Sequence, residues 1–374
     1  MKNNTQNIIF FFYPGRSERL NIINNISKEF FYSFIEAKEK FENVQLIEVK
    51  NTKNTHQKIM KFYDRVVFKI SRIQSNSEKY CDKKYRNLFE ENNILVFTNF
   101  ALGLSAVPFL VKNIFKKNNE IFVINSGLFS FRKTNLIQKI FRTIYLKIFF
   151  NLVTKIIFTS KTEYSFAVEN FNKYSNKFKL IEFCPDVSFW SKGDTSLRRD
   201  KKGVLFVGND EGRCFELLEP LAIELKDYQF TFITNNESIT KINLPNVKTI
   251  SGKWSGNNLS DLELLEIYRK SKIAILPIQD KLVASGQSVA LQSMCNKTPV
   301  MITNTKGFWN RDLFENEKNI IFVKNNTVKS WASQLIKFYD DEVVLKEIAE
   351  QAYNTVEKNY RKEKFDTEFL KLFS

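Results

Sequence analysis

A strand, a polar turn and a helix follow one another between residues 273 and 295, and this arrangement suits the binding of an anion. An apolar run ends at Pro277, and a helical pattern begins just after the turn that contains Gly286. The first amides of a helix have no partner within the helix, so they attract phosphate groups. The residues that we predict to hold such a group are Ser285, Gly286, Gln287 and Ser288.

Two further side chains could act beside this turn. Gln292 lies about a turn and a half deeper in the same predicted helix, and its amide can both donate to and accept from hydroxyl groups. Arg213 follows the apolar run that ends at Gly208, and a guanidinium suits bidentate contact with phosphate. The sequence leaves open that the helix end binds nothing and that Arg213 is an ordinary surface arginine.

Polar residues also follow the predicted strands of the first half. Gly15 and Arg16 come after the first apolar run, Asn99 after a later one, and Ser126 after the next. Because ligands of open parallel sheets bind beyond the carboxyl ends of the strands, these residues are candidates for a second binding surface.

Several kinds of chemistry lack their usual residues. The four cysteines are far apart, which favours reduced thiols, and His56 is the single histidine. No Asp-x-Asp pair occurs, so we predict that no metal is required, and we expect no further cofactor. The sequence has neither the GxGxxG of dinucleotide enzymes nor a phosphate loop of nucleotide hydrolases. The absence of a long uncharged apolar run and of a signal-peptide pattern favours a cytoplasmic protein.

The elements that must position these residues alternate between short apolar runs and helical patterns, which predicts parallel sheets covered on both faces. The first helix is predicted over 18–42. A polar stretch interrupts the alternation, which then restarts, so we expect an α/β protein with two Rossmann-like doubly wound domains facing each other across a cleft. The predicted parts are a domain over 1–185, a linker over 186–202, a domain over 203–357, and a C-terminal helix over 358–374 that packs on the first domain.

Positive charge is concentrated in the first half. Residues 1–190 carry 30 basic and 16 acidic side chains, a net charge of +14, whereas residues 191–374 carry 27 and 25, a net charge of +2. The segment 131–161 contains seven basic residues and no acid. Within it, Ile137, Ile140, Phe141, Ile144, Tyr145, Ile148, Phe149 and Leu152 recur at helical spacing, with Lys139, Arg142, Thr143, Lys147 and Asn151 on the other side.

Two interpretations of this basic amphipathic helix remain open. The helix could pack on its own sheet with a solvated basic face, or it could contact an anionic membrane surface. Nucleic acid is a weaker candidate partner, because the basic residues are not interleaved with a recognition motif.

The second half resembles the family 4, retaining glycosyltransferases of the GT-B fold, in a branch with a Ser-Gly-Gln-Ser-Val motif. The resemblance covers most of residues 203–360 and extends to the first half only in element order. It is carried by 205–210 with Arg213, 264–268, 285–289, Thr298-Pro299-Val300 and Lys306-Gly307.

This resemblance implies roles for individual residues. Gly286, Gln287 and Ser288 would cradle the phosphate of a nucleotide-sugar, Arg213 would supply positive charge, and Gln292 would contact the ribose. Arg213 and Gln292 are the residues to which we assign catalysis. The other donor-side candidates are Gly208, Asn209, Lys253, Trp254 and Ser285, with Lys253 and Trp254 at the position of the nucleobase contact. Gly15, Arg16, Asn99 and Ser126 would lie on the acceptor side.

The sequence departs from the family at the pair of glutamates separated by seven residues, which are Ala284 and Gln292 here. We therefore keep a catalytically inactive binding or scaffold subunit, and a basic nucleic-acid-binding protein, as alternative hypotheses. The main hypothesis is a cytoplasmic, peripheral-membrane glycosyltransferase. It would move a sugar from a nucleotide donor to a saccharide acceptor, lipid-linked, in the synthesis of a bacterial surface polysaccharide.

Overall fold

A computed structural model of the chain describes residues 6–50, 56–111, 118–130, 135–193, 201–252 and 259–373. The chain divides into two compact units. The first comprises Met1–Asn21, Phe31–Glu182 and Asp366–Ser374, and the second comprises Ile22–Phe30 and Phe183–Phe365. Both units are Rossmann-like α/β domains, each built on a parallel sheet of six strands, as the sequence predicts.

The sheet of the first unit has the strand order β2-β1-β3-β4-β5-β6. Its strands are β1 (Ile8–Phe12), β2 (Val44–Glu48), β3 (Ile94–Phe97), β4 (Glu120–Asn125), β5 (Lys155–Phe158) and β6 (Phe178–Leu180). The helices of this unit are α1 (Arg16–Leu20), α2 (Phe34–Lys40), α3 (Gln57–Ser71), α4 (Lys83–Glu90), α5 (Phe100–Leu110), α6 (Leu136–Leu152) and α7 (Lys161–Asn170). Ile8 pairs with both Val44 and Ile94, so β1 is hydrogen-bonded on both sides.

Aromatic side chains fill both faces of this sheet. All five residues of β1 are buried, and alternate residues point to opposite faces. On one face Phe11 stacks on Phe97 at 4.8 Å between ring centroids, and on the other Phe10 meets Phe373 at 6.4 Å. Residues Asp366–Ser374 belong to the first unit, and Phe373 contributes to its core.

The sheet of the second unit has the order β12-β11-β10-β7-β8-β9. Its strands are β7 (Val204–Val207), β8 (Phe230–Ile233), β9 (Val247–Ile250), β10 (Ile273–Leu276), β11 (Val300–Thr303) and β12 (Ile321–Val323). Its helices are α8 (Val187–Trp190), α9 (Leu218–Glu224), α10 (Glu237–Thr240), α11 (Asp261–Lys270), α12 (Gln287–Cys295), α13 (Val328–Tyr339) and α14 (Glu342–Asn359), and α15 (Lys362–Leu370) follows at the end of the chain. The central strands β7 and β10 are adjacent, so the turns that follow them lie side by side.

The prediction of one continuous helix over 18–42 is wrong. Helix α1 ends at Leu20 and α2 begins at Phe34, and the backbone between them includes Tyr32 and Ser33 at positive φ angles of 47° and 64°. Those angles are incompatible with a continuous right-handed helix. The segment Ile22–Phe30 packs in the second unit.

The stretch predicted as a linker over 186–202 includes the short helix α8, whose Phe189 and Trp190 are buried. The division between the units falls after Glu182, a few residues before the boundary that the sequence suggested. Residues 194–200 lie outside the described part of the chain.

The contact of Phe373 with the sheet should contribute strongly to the stability of the first unit. Its ring is 4% exposed and lies edge-on to Phe122 at 5.2 Å. Phe373→Ala should lower the free energy of unfolding by about 3–5 kcal/mol, because the cavity is added to the lost burial. Urea unfolding measures this change.

Phe62 is the matched control, because its side chain is 68% exposed. Phe62→Ala should change the free energy of unfolding by less than about 0.5 kcal/mol. Equal unfolding midpoints for the two variants would contradict the placement of Phe373 in the core.

Candidate functional site

The anion-binding turn predicted from the sequence lies beside Arg213 in the second unit. Backbone pairing joins the two turns, since Arg213 forms an isolated β-bridge with Ile278 and the Gln279 amide donates to the Gly212 carbonyl at 2.8 Å. Gly286 precedes α12 at a φ of 83°, a left-handed conformation that favours glycine. A Cβ on Gly286 would lie 3.4 Å from Nη1 of Arg213, so the guanidinium reaches the start of this helix.

Gly208 lets the guanidinium take this position. A Cβ added to Gly208 would clash with Nε of Arg213, so any larger residue after β7 would displace the arginine. The structure thus brings together Gly208, Arg213 and Gly286, three of the residues that the sequence analysis predicts for the donor side.

Arg213 is an incompletely satisfied buried cation. Its side chain is 3% exposed, and neither Nε nor Nη1 donates a hydrogen bond. Nη1 lies 3.2 Å from a carboxylate oxygen of Asp210, whose side chain is 51% exposed. Burial lowers the pKa of Arg213, and the charge of Asp210 opposes that shift. Within the turn 285–288, the amides of Ser285 and Gln287 already donate to the carbonyls of Val283 and Ala284, at 2.8 and 3.2 Å. A buried cation with unused N–H groups at the start of a helix is suited to an anion.

The other residues predicted for the donor site differ in their contacts and in their exposure. The Ser285 hydroxyl lies 3.4 Å from Oδ1 of Asp210, Gln287 is buried, and Ser288 is partly exposed. The amide Nδ2 of Asn209 donates to the Gly252 carbonyl at 2.8 Å, and its Oδ1 accepts from the Asn235 amide at 2.6 Å. Asn209 therefore fixes the loops after β8 and β9.

Gln292 is held by two side chains that the sequence analysis did not single out. Its Nε2 donates to Oε1 of Glu29 at 2.8 Å, and its Oε1 accepts from the Tyr268 hydroxyl at 3.2 Å. The side chain is 5% exposed. An amide offers two donor and two acceptor positions, so one N–H and one lone pair remain for a ligand.

Glu29 is the buried centre of this cluster. Its carboxylate also accepts from Nε1 of Trp190 at 2.9 Å and from the Asp186 amide at 3.3 Å. Burial raises the pKa of Glu29 to about 7, although the hydrogen bonds from Trp190 and Gln292 favour the ionised form. An acid at position 292 would put two carboxyl groups at hydrogen-bond distance, which explains physically why an amide can occupy this position.

The acceptor-side residues follow β1, β3 and β4, three adjacent strands of the first unit. Gly15 has a φ of 104° and precedes the half-buried Arg16, which begins α1. Asn99 caps α5 by accepting from the Ala101 amide at 2.8 Å, and Ser126 is exposed. The structure places these residues at the carboxyl ends of three adjacent parallel strands.

Two carboxylates that the sequence analysis missed hold the turns at these strand ends. Oε1 of Glu48 accepts from the amides of Gly15 and Ser17 at 2.9 and 2.8 Å. Oε1 of Glu163 accepts from the Gly127 amide at 2.9 Å. Burial would raise the pKa of Glu48, but the Ser17 amide, Lys50 and the Gly15 amide together lower it. Burial raises the pKa of Glu163 to about 7.

Lys253 and Trp254, the predicted nucleobase contacts, lie outside the described residues. The described strand β9 ends just before them, and Ser251 donates to Oδ1 of Asn235 at 2.9 Å.

Comparison with known proteins assigns part of the second unit to a family. Residues 253–355 match the model of the family "Glycosyl transferases group 1". This range contains the turn 285–288 and Gln292, and it excludes Arg213. The match spans less than half of the chain, and it shows that this part of the second unit is similar to glycosyltransferases of group 1. No curated protein matches the sequence.

Solved structures of low sequence identity share the fold. HepE from Anabaena, in complex with UDP and glucose, has a TM-score of 0.64 and 10% identity, covering 98% of this chain and 99% of that one. WaaG, described as a glycosyltransferase involved in lipopolysaccharide biosynthesis, has a TM-score of 0.62 and 12% identity, covering 97% and 98%. TarM has a TM-score of 0.60 and 14% identity, and the match covers 81% of this chain but only 59% of TarM. These likenesses show the GT-B fold.

The buried Glu29 makes stability depend on pH in a defined direction. Its pKa rises from 4.5 to about 7 on folding, so the folded state holds the proton more tightly than the unfolded state. The stabilisation is complete below 4.5 and is lost as the pH rises to about 7, by about 1.4 kcal/mol per pH unit. Glu29→Gln should remove this pH-dependent part of the free energy of unfolding. Urea unfolding below pH 4.5 and near pH 7 measures the change.

Glu224→Gln is the control, because Glu224 is an exposed carboxylate of the same unit. It should preserve the pH dependence of the wild-type protein. If Glu29→Gln also preserved it, the carboxyl of Glu29 would not titrate as its burial requires.

Proposed function

We propose that the protein is a glycosyltransferase whose second unit binds a nucleotide-sugar donor through Arg213 and the turn 285–288. One observation carries the proposal: the buried guanidinium of Arg213, whose Nε and Nη1 make no hydrogen bond, lies at the start of α12. Helix α12 lies within the range that matches the family "Glycosyl transferases group 1", whereas Arg213 precedes that range. A diphosphate would satisfy both the guanidinium and the helix amides.

In this proposal the protein assists transfer by stabilising charge on the departing diphosphate. Positively charged and N–H groups fixed before the reaction are more effective than groups that must reorient, because no reorganisation is required in the transition state. Gly208 and Gly286 leave room for the guanidinium of Arg213, and the β-bridge to Ile278 holds the backbone that carries it. The proposal needs no metal ion, since Arg213 and the helix amides supply the positive potential.

Gln292 is proposed to contact the ribose through the N–H and lone pair that Glu29 and Tyr268 leave free. Those two partners hold the amide in one orientation, so it needs no rearrangement to meet a diol. Retention of configuration follows from the family resemblance, and we include it in the proposal.

The acceptor is proposed to be a saccharide carried on a lipid, in the synthesis of a bacterial surface polysaccharide at the cytoplasmic face of the membrane. WaaG, a glycosyltransferase involved in lipopolysaccharide biosynthesis, has a similar fold and supports the pathway by analogy. The net charge of +14 over residues 1–190, from 30 basic and 16 acidic side chains, supports contact with an anionic membrane surface. The turns after β1, β3 and β4 are the proposed acceptor side.

A binding subunit without catalysis is the second candidate. Ala284 and Gln292 occupy the positions of the glutamate pair that the resembled family usually has, so neither carboxylate is present. Such a subunit would bind a nucleotide-sugar without transferring or hydrolysing it.

Donor binding tests the proposal. A panel of UDP-, GDP-, ADP- and CMP-linked sugars should include one that raises the melting temperature, because a ligand specific for the folded state stabilises it. Arg213→Ala should weaken that binding about tenfold to a hundredfold, the range for a charge-assisted hydrogen bond. Isothermal titration gives the affinity, and release of the free sugar or its transfer gives turnover.

Arg361→Ala serves as the control, since Arg361 is a partly exposed arginine of the same unit paired with Glu357. It should bind the donor as the wild type does. Undiminished affinity in Arg213→Ala would remove the proposed diphosphate site, and donor binding without turnover would favour the binding subunit.

A further inference from the structure

The exposed apolar side chains of the molecule are concentrated on two helices. Of the seventeen large apolar side chains that are exposed among the described residues, ten lie on α3 and α6. They form one stripe on each helix at spacings of three and four residues. The stripe of α3 is Ile59, Phe62, Val66 and Ile70, and that of α6 is Leu136, Ile137, Ile140, Phe141, Ile144 and Ile148.

This arrangement corrects the interpretation that the isoleucine-rich side of α6 packs on the sheet. The side chains that α6 buries include Leu146, Phe149 and Phe150, and Phe150 packs edge-on against Phe171 and Phe178. Arg142, expected on the solvated face, is 8% exposed. Helix α6 is apolar on two sides, and the aromatic side packs against the protein.

The two helices run antiparallel and in contact. The Tyr63 hydroxyl lies 3.3 Å from the Tyr145 hydroxyl, and Nε2 of Gln138 donates to the Lys69 carbonyl at 3.1 Å. A later residue of α3 thus meets an earlier residue of α6. At 100° per residue, Tyr63 and Tyr145 lie on the side of each helix next to its apolar stripe. The stripes are therefore neighbours, and together we call them the apolar strip.

Basic residues border the apolar strip on both outer sides. On α3 they are Lys58, Lys61, Arg65 and Lys69, and on α6 they are Lys139 and Lys147, all exposed. At helical spacing both sets fall on the side away from the neighbouring helix. This arrangement fits an anionic lipid surface. The apolar centre could reach the boundary of the acyl chains, while the cationic margins lie at the level of the headgroups.

Neither helix presents an acid to this surface. Helix α6 contains no acidic residue. The single acid of α3, Asp64, is buried, accepts from the Ser75 hydroxyl at 2.6 Å and accepts from the Ser77 amide at 2.8 Å. The exposed sides of α3 and α6 therefore carry no acidic group of their own that would repel an anionic partner.

We propose that the apolar strip inserts its isoleucine and phenylalanine side chains into the headgroup region of an anionic bilayer while the flanking lysines and arginines contact lipid phosphates. Within the described residues, no helix is both long and apolar enough to span a bilayer. The helices would lie in the plane of the surface. A protein partner fits less well, because protein interfaces are depleted in lysine and their strongest contacts are Trp, Tyr and Arg.

This inference rests on the proposed function for its purpose, since docking would bring the first unit to a lipid-linked acceptor. The geometry of the apolar strip is independent of that function. Ten apolar side chains in one surface are more than scattered exposure explains, and such patches commonly mark interaction sites.

The test measures co-flotation of the full chain with vesicles of phosphatidylcholine alone and of phosphatidylcholine with phosphatidylglycerol. The wild-type chain should bind the anionic vesicles and bind the neutral ones weakly. The double variant Phe62→Ser with Ile144→Ser should bind the anionic vesicles at least about tenfold more weakly, because two apolar anchors are lost. Lys61→Gln with Lys147→Gln should weaken binding to the anionic vesicles only.

The matched control is Ile223→Ser with Ile336→Ser, which removes two exposed isoleucines of the second unit, 58% and 55% exposed. It should bind vesicles as the wild type does. Absence of wild-type binding, or equal loss in the control and in the strip variant, would overturn the proposal.

Two further measurements separate the alternatives. If light scattering without lipid showed a dimer that Phe62→Ser with Ile144→Ser made monomeric, a second copy would cover the strip and the proposal would be overturned. Nucleotide-sugar binding separates this proposal from the enzymatic one: the strip variant should keep the donor affinity of the wild type. Vesicle binding without any donor binding would preserve the docking surface and remove the proposed transferase.

Discussion

The arrangement of the second unit depends on the burial of one carboxylate. Glu29 belongs to the segment Ile22–Phe30, yet it accepts hydrogen bonds from Trp190 and from Gln292, which are 161 and 263 residues away in sequence. A carboxylate buried without such donors would cost several kcal/mol. The carboxylate also restrains its donors, because these hydrogen bonds hold the indole of Trp190 and the amide of Gln292 in one orientation. The orientation of Gln292 is thus determined by a residue outside its own strand and helix.

The first unit uses carboxylates in a similar way. Glu48 accepts from the amides after β1, and Glu163 accepts from an amide after β4. Turns at the carboxyl ends of parallel strands expose backbone N–H groups that a short helix cannot satisfy. Because the protein fills these positions with its own side chains, the turns are ordered before any ligand arrives. The turn at Gly286 in the second unit is different, because the charged side chain beside it is the cation Arg213 and not a carboxylate.

The sequence predicted the two sheets and the turn around Gly286 because these depend on local patterns. Apolar runs such as 8–12 and 273–276 identify buried strands by themselves. The sequence does not predict the positive φ angles of Tyr32 and Ser33, because neither is a glycine or an asparagine, the residues that usually adopt them. The partnership of Glu29 with Gln292 depends on tertiary packing, and no spacing within either segment indicates it.

The distribution of charge is consistent with different uses of cations in the two units. Exposed lysines and arginines of α3 and α6 are screened over about 8 Å at physiological ionic strength, so they act on a surface only when many lie side by side. A single buried guanidinium such as that of Arg213 is screened far less, which is the physical basis of the diphosphate site proposed above. A net charge of +2 in residues 191–374, from 27 basic and 25 acidic side chains, is therefore compatible with strong local anion binding. The excess of basic residues is needed in the first half, where the proposed partner is an extended anionic surface.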